Sequence, residues 1–149
     1  MPAEDTAGLP VPPPLIPLTG LLSGLLLGWL APWPVSYVSW PLSLIALLLA
    51  VGLIGSAFAQ LRWDMLPHHP TMALRTGGVL RLTRNPIYLG FVLVTAAAAL
   101  AGGNAWLWLV VPLVMLALDR IIIAREERYL AGRFPTDYAA YRSRVRRWL

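Results

Sequence analysis

Four long apolar stretches, parted by two short breaks and one polar connection, set the layout of this chain. They run over about residues 15–33, 41–61, 86–103 and 105–124. Each approaches the roughly 20 helical residues that cross a bilayer core about 30 Å thick. Only Gly102-Gly103-Asn104 lies between the third and the fourth, a tight turn that predicts an antiparallel helical hairpin. The break between the first two, Ala31 to Trp40, is short and uncharged. After residue 124 the chain turns polar. Tyr138, Tyr141, Val145 and Trp148 then recur at spacings of three, four and three, with arginines between them. That pattern predicts an amphipathic helix over about 136–149, suited to lying on an anionic leaflet. Residues 1–14, with Pro2, Pro10, Pro12, Pro13 and Pro14, read as a flexible, extended tail without the basic start of a signal peptide. The predicted fold class is all-α integral membrane. It has four transmembrane helices and a cytoplasmic C-terminal amphipathic helix, with 15–149 as one domain.

Composition strengthens that reading. Of 149 residues 58% are hydrophobic and 13% charged, and the mean hydropathy is +0.65. A water-soluble domain of this length has too much surface for that balance. No cysteine is present, which excludes disulfides and thiolate nucleophiles. All twelve basic residues are arginine, so lysine Schiff-base chemistry is excluded as well. A net charge of +5 in so apolar a chain points to membrane lipids as partners rather than nucleic acid. Arginines are absent before Arg62 and then gather in the 62–85 connection and from Arg120 onward. By the positive-inside rule both regions, and both termini, face the cytoplasm. Trp29, Trp33, Trp40, Trp106 and Trp108 would belt the opposite interface, and Trp63 and Trp148 the inner one.

The unusual polar residues collect at the arginine-rich end. Asp119 and Arg120 fall inside the fourth stretch, where an ionisable group costs several kcal/mol unless it is paired or wet. Glu126 and Glu127 follow seven residues after each. In an α-helix this spacing sets Asp119 above Glu126 and Arg120 above Glu127. Opposite them, Asn85 is a favoured helix cap and Pro86 a favoured first residue, so the third helix starts there. A helix start flanked by Arg81 and Arg84 can hold an anion. Gly77-Gly78 lets backbone approach a ligand closely. The hairpin brings Arg84, Asn85 and Tyr88 to face Glu126 and Glu127. Such a pocket suits either a generic anion or S-adenosyl-L-methionine (SAM), whose carboxylate, ammonium and ribose match its donors and acceptors. His68 and His69, without a third ligand nearby, do not make a metal site.

Two motifs in this pocket carry a resemblance: Arg84-Asn85-Pro86-Ile87-Tyr88-Leu89-Gly90, and after one apolar helix the pair Glu126-Glu127. The sequence resembles the membrane methyltransferases of the isoprenylcysteine carboxyl methyltransferase and phospholipid methyltransferase group, over about residues 60–149. The resemblance reaches upstream through Leu74, Thr76 and Gly78 to Pro67 and Pro70. It implies SAM as cofactor, bound by Leu74, Arg75, Asn85, Pro86, Ile87, Tyr88, Glu126 and Glu127, to which the reading of the pocket adds Gly78 and Arg84. It also implies a lipophilic methyl acceptor. Tyr88, Glu127, Asp119 and Arg120 are the candidates for chemistry on that acceptor. Met72, Leu80, Ile122 and Phe134-Pro135 stand where prenylcysteine enzymes carry other residues, which turns the acceptor away from prenylcysteine. A phospholipid amine, a quinone-like hydroxyl and a small thiol are the other acceptors. A small transporter or assembly subunit is the non-enzymatic alternative.

Overall fold

A computed structural model describes residues 8–61 and 74–149. The readings made for Pro2, and for Arg62, Trp63, Pro67, His68, His69, Pro70 and Met72, lie outside the described residues. Helix α1 spans Leu15–Leu30 and α2 Trp40–Leu61. A single 3-10 turn, Gly78–Arg81, precedes α3, Pro86–Gly102. Helix α4, Ala105–Ala117, passes through a π-helical turn, Leu118–Ile123, into α5, Ala124–Arg133, and α6 covers Pro135–Arg144. From Ala105 to Arg133 the helix is continuous over 29 residues. It and α2 are long and apolar enough to cross a membrane, while α1 and α3 are shorter apolar helices of 16 and 17 residues. Among the described residues there is no strand beyond an isolated bridge between Pro34 and Asn104.

The packing is inverted relative to a water-soluble bundle. Helix α1 buries Pro17 and Gly24, and α2 buries Ala46, Ala50 and Ala57. Their large residues, among them Leu22, Leu25, Leu48 and Val51, point outward. Small residues let helix backbones come close, and this is how helices pack when the solvent is as apolar as leucine. Gly90 shows how close: a Cβ there would lie 2.5 Å from Ile54 Cγ1 and 3.2 Å from the Ala50 carbonyl. Ser43 adds a bond across the same seam, its hydroxyl donating to the Ala97 carbonyl at 2.8 Å.

The hairpin end is tied together. Gly103 closes α3 in the left-handed region, with φ 55°, and Asn104 caps α4 by accepting from the Trp106 N–H at 3.0 Å. The Asn104 amide also donates to the Gly24 carbonyl at 3.1 Å, and the Trp106 indole to that of Ala31 at 2.8 Å. Val35 N–H donates to Gly103 and Ala105 N–H to Trp33, both at 2.9 Å. Trp33 and Trp106 meet edge to face with centroids 5.5 Å apart.

Two expectations change here. The fourth helix does not stop near residue 124 but runs on to Arg133, because R-E-E-R-Y-L-A is made of good helix formers. The predicted helix over 136–149 ends at Arg144, and its aromatic stripe does not face lipid. Tyr138, Tyr141 and Val145 are buried with Leu80, fringed by Leu61, Leu74, Leu130 and Phe134. Tyr141 donates to the Leu80 carbonyl at 2.6 Å, so the phenol tip is satisfied inside the protein. At Val145 the backbone becomes extended and the chain folds back. At the other end, Leu9 and Val11, read as part of the tail, pack against a core cluster of Tyr88, Val110, Val114, Leu118, Ile122 and Ile123.

Candidate active site

The turn before α3 is shaped by α2. Gly78 has φ +50°, and a Cβ on it would come within 2.0 Å of the Gln60 amide nitrogen. With its amide turned to suit, Gln60 donates to the Gly77 carbonyl at 2.9 Å and accepts from Val79 N–H at 3.1 Å. The close approach that Gly78 allows is therefore to Gln60. Leu74 packs into the cluster around Tyr138 and Tyr141, and Arg75 is exposed.

Asn85 stands at the cap position of α3 with Pro86 in its first turn, but its side chain caps nothing. Instead its amide donates to the Arg147 carbonyl at 2.9 Å, and the buried Thr83 hydroxyl donates to the same oxygen at 3.1 Å. Thr83 in turn accepts from Asn85 N–H at 3.1 Å. Arg84 N–H donates to the Arg146 carbonyl at 3.0 Å. The expected anion site between Arg81 and Arg84 is not formed as such. Arg81 is exposed, and Arg84, its side chain 9% exposed, pairs with Glu127 Oε1 at 3.2 Å and reaches the Tyr138 hydroxyl at 3.4 Å. Its Nε is buried without a hydrogen-bond partner.

One turn into α3, Tyr88 donates to Glu126 Oε1 at 2.5 Å. Pro86 is buried and Ile87 half-buried beside it. The signature helix and the glutamate pair thus meet directly.

The acids sort themselves by the π turn. In an uninterrupted α-helix, seven residues fall about 20° short of two turns and eight overshoot by about 80°. A π turn takes up roughly one extra residue, so here the eight-residue spacing lines up. Asp119 stands with Glu127, not Glu126, and Arg147 bridges them. Arg147 Nη1 donates to both Asp119 oxygens at 3.0 and 3.2 Å, its Nε to Glu127 Oε1 at 3.1 Å, and its Nη2 to Glu127 Oε2. The Trp148 indole adds a bond to Asp119 Oδ1 at 3.3 Å. The expected columns, Asp119 over Glu126 and Arg120 over Glu127, are therefore replaced. Arg120 turns outward, 76% exposed, with only a 3.8 Å approach to Asp119.

Tyr138 and Glu127 share this corner. Burial first, and then the Glu127 charge, push the Tyr138 phenol above its usual pKa, against the pull of Arg84. Burial likewise takes Tyr141 up to about 12. Hydrogen bonds to Glu127 hold the Arg147 guanidinium above the ordinary arginine value.

The structure brings Arg84, Asn85, Tyr88, Glu126, Glu127 and Asp119 to one end of the hairpin. It leaves Arg75 and Arg120 facing outward, and it seats Leu74 and Gly78 on the α2 and α6 side. Sequence reasoning missed Arg147, Thr83 and Tyr138 as parts of this corner. The only signal for Arg147 was its place in a run of arginines, which reads equally as a solvated or lipid-facing series.

A protein of Haemophilus influenzae, described as uncharacterized, is 41% identical over 63 residues, which is 42% of this chain and 100% of that protein. No solved structure matches the chain. The phospholipid methyltransferase family matches residues 40–137, which takes in α2, the polar connection, both motifs and the start of α6. The chain belongs to the phospholipid methyltransferase family.

Proposed function

We propose that this protein transfers a methyl group from SAM to a lipophilic acceptor at the cytoplasmic face of a membrane. The observation that carries the reading is the 2.5 Å contact between Tyr88 and Glu126, which joins the two family motifs in one place. The residues present fit the cofactor. Arg84 Nε is a buried donor in need of an acceptor, as a carboxylate is, and Glu126 offers a carboxylate to a hydroxyl or an ammonium. SAM supplies an activated methyl group, so positioning and exclusion of water can provide most of the catalysis. Tyr88 fixes the Glu126 carboxylate, and Asn85 and Pro86 set the start of the helix that carries Tyr88.

On the acceptor side, Glu127 and Asp119 are the groups that can take a proton from an amine, a step that a carboxylate acceptor does not need. Ile122, at the position of a substrate-side arginine in prenylcysteine enzymes, is fully buried in the core and presents nothing to an acceptor. This favours a phospholipid amine. An apolar groove of about 520 Å³ between α1 and α4, lined by Ile16, Leu109, Leu113 and Ile121 among others, suits an acyl chain. All four apolar helices would then span the bilayer, with the arginine-rich end inside. A reporter fused after Leu149 that reads as external would overturn that orientation.

The test of activity is direct. The purified protein, incubated with methyl-labelled SAM and a total lipid extract, is expected to label a lipid. Label that stays in SAM with every lipid class refutes the proposal.

A further inference from the structure

The segment 145–149 is densely bonded into the site, and neither family motif accounts for it. Its backbone is held at the start of α3, where Thr83 and Asn85 both donate to the Arg147 carbonyl and Arg84 N–H donates to that of Arg146. Its side chains are held on the opposite wall, where Arg147 and Trp148 bond Asp119 and Arg147 bonds Glu127. One residue therefore measures the distance between the two walls. The chemistry asks for arginine in particular, since its planar fork can serve two carboxylates at once and a lysine point charge cannot. Without it, Glu127 keeps Arg84 but Asp119 loses its two-oxygen partner, and the repulsion between the two acids on one helix face is no longer offset. The π turn completes the arrangement, because it is what puts Asp119 and Glu127 on the same face.

We infer that Arg147 is a positioning residue, which fixes Glu127 and Asp119 against the start of α3 so that the acceptor meets the carboxylates in one geometry. The inference rests on the methyltransferase reading proposed above. It places Arg147 on the acceptor side and leaves cofactor binding to Arg84, Tyr88 and Glu126.

The test measures SAM affinity, turnover and melting on the full chain in detergent, with labelled SAM and vesicles of total lipid extract as acceptor. Arg147→Gln should lower kcat by about tenfold or more while the Kd for SAM stays within about threefold. Arg147→Lys should recover part of the lost kcat, since a cation returns without the fork. Should Arg147→Gln fold poorly, the double variant Asp119→Leu with Arg147→Leu removes both charges together and keeps a neutral site. It is expected to fold and to turn over more slowly than Asp119→Leu alone, which keeps Arg147 on Glu127. A double variant with wild-type kcat would show that Arg147 only neutralises Asp119, and would overturn the inference while leaving the methyltransferase reading intact. A well-folded Arg147→Gln variant with unchanged kcat does the same. A wild type that neither binds SAM nor labels lipid overturns the methyltransferase reading and the role of Arg147 with it.

Discussion

Tyr88 and Glu126 come from helices 38 residues apart in sequence and share a single short hydrogen bond. Neither has another bonding partner among the contacts described above, so each depends on the other. Tyr88→Phe keeps the ring and its 6.3 Å contact with Phe91 but removes the donor. A half-buried carboxylate left without its donor costs on the order of 1 kcal/mol. We therefore expect Tyr88→Phe and Glu126→Gln each to weaken SAM binding by about tenfold, measured calorimetrically in detergent with helical circular dichroism unchanged. Undiminished affinity in both variants would remove the cofactor from this corner. These two residues were legible beforehand, since a tyrosine one turn into a helix and a glutamate at the hairpin's far leg must face the same compartment. Arg147 was not. A run of four arginines in six residues carries no mark that singles out the one which turns inward.

At the scale of elements, hydropathy located the apolar helices but not the true end of the longest one. An apolar run ends where the preferred solvent changes, whereas a helix ends where its backbone bonds stop, and residues 124–133 are polar and helical at once. The stripe of Tyr138, Tyr141 and Val145 was legible as one face, but periodicity cannot say whether lipid or protein covers it. Nor does anything in L-D-R-I-I-I betray a π turn, because its register shift shows only in three dimensions. That turn allows a sharp prediction. Ile121 lies within the turn with its side chain exposed, so removing it takes nothing from the core. Deleting it should restore plain α-helix and leave Asp119 and Glu127 seven apart, still on one face. SAM affinity and the melting temperature are expected to change little in that deletion. Deleting Ala124 instead, just past the turn, tests whether the turn can move to absorb the loss, and a large drop in affinity for Ile121 alone would show that the turn itself is required.

Over the whole molecule, the two ends of the hairpin are built from different bonds. One is fastened by Asn104, Trp106 and two backbone bonds, all between uncharged partners; the other adds to its backbone bonds guanidinium groups shared among carboxylates. A structure fastened so asymmetrically is expected to open, on the proposal above, as tweezers do. Helix α3, 17 residues long, is a lever of about 25 Å with its pivot at Gly103. Turning such an arm by about 5° moves its tip by about 2 Å, the difference between a shut seam and room for a methyl group. A charged guest can offer the groups at the ion-paired end a charge-assisted bond in place of one they give up, whereas the uncharged bonds at the pivot have no such substitute. On the methyltransferase proposal, the seam is expected to give at the end where the cofactor would bind and to stay shut at the other.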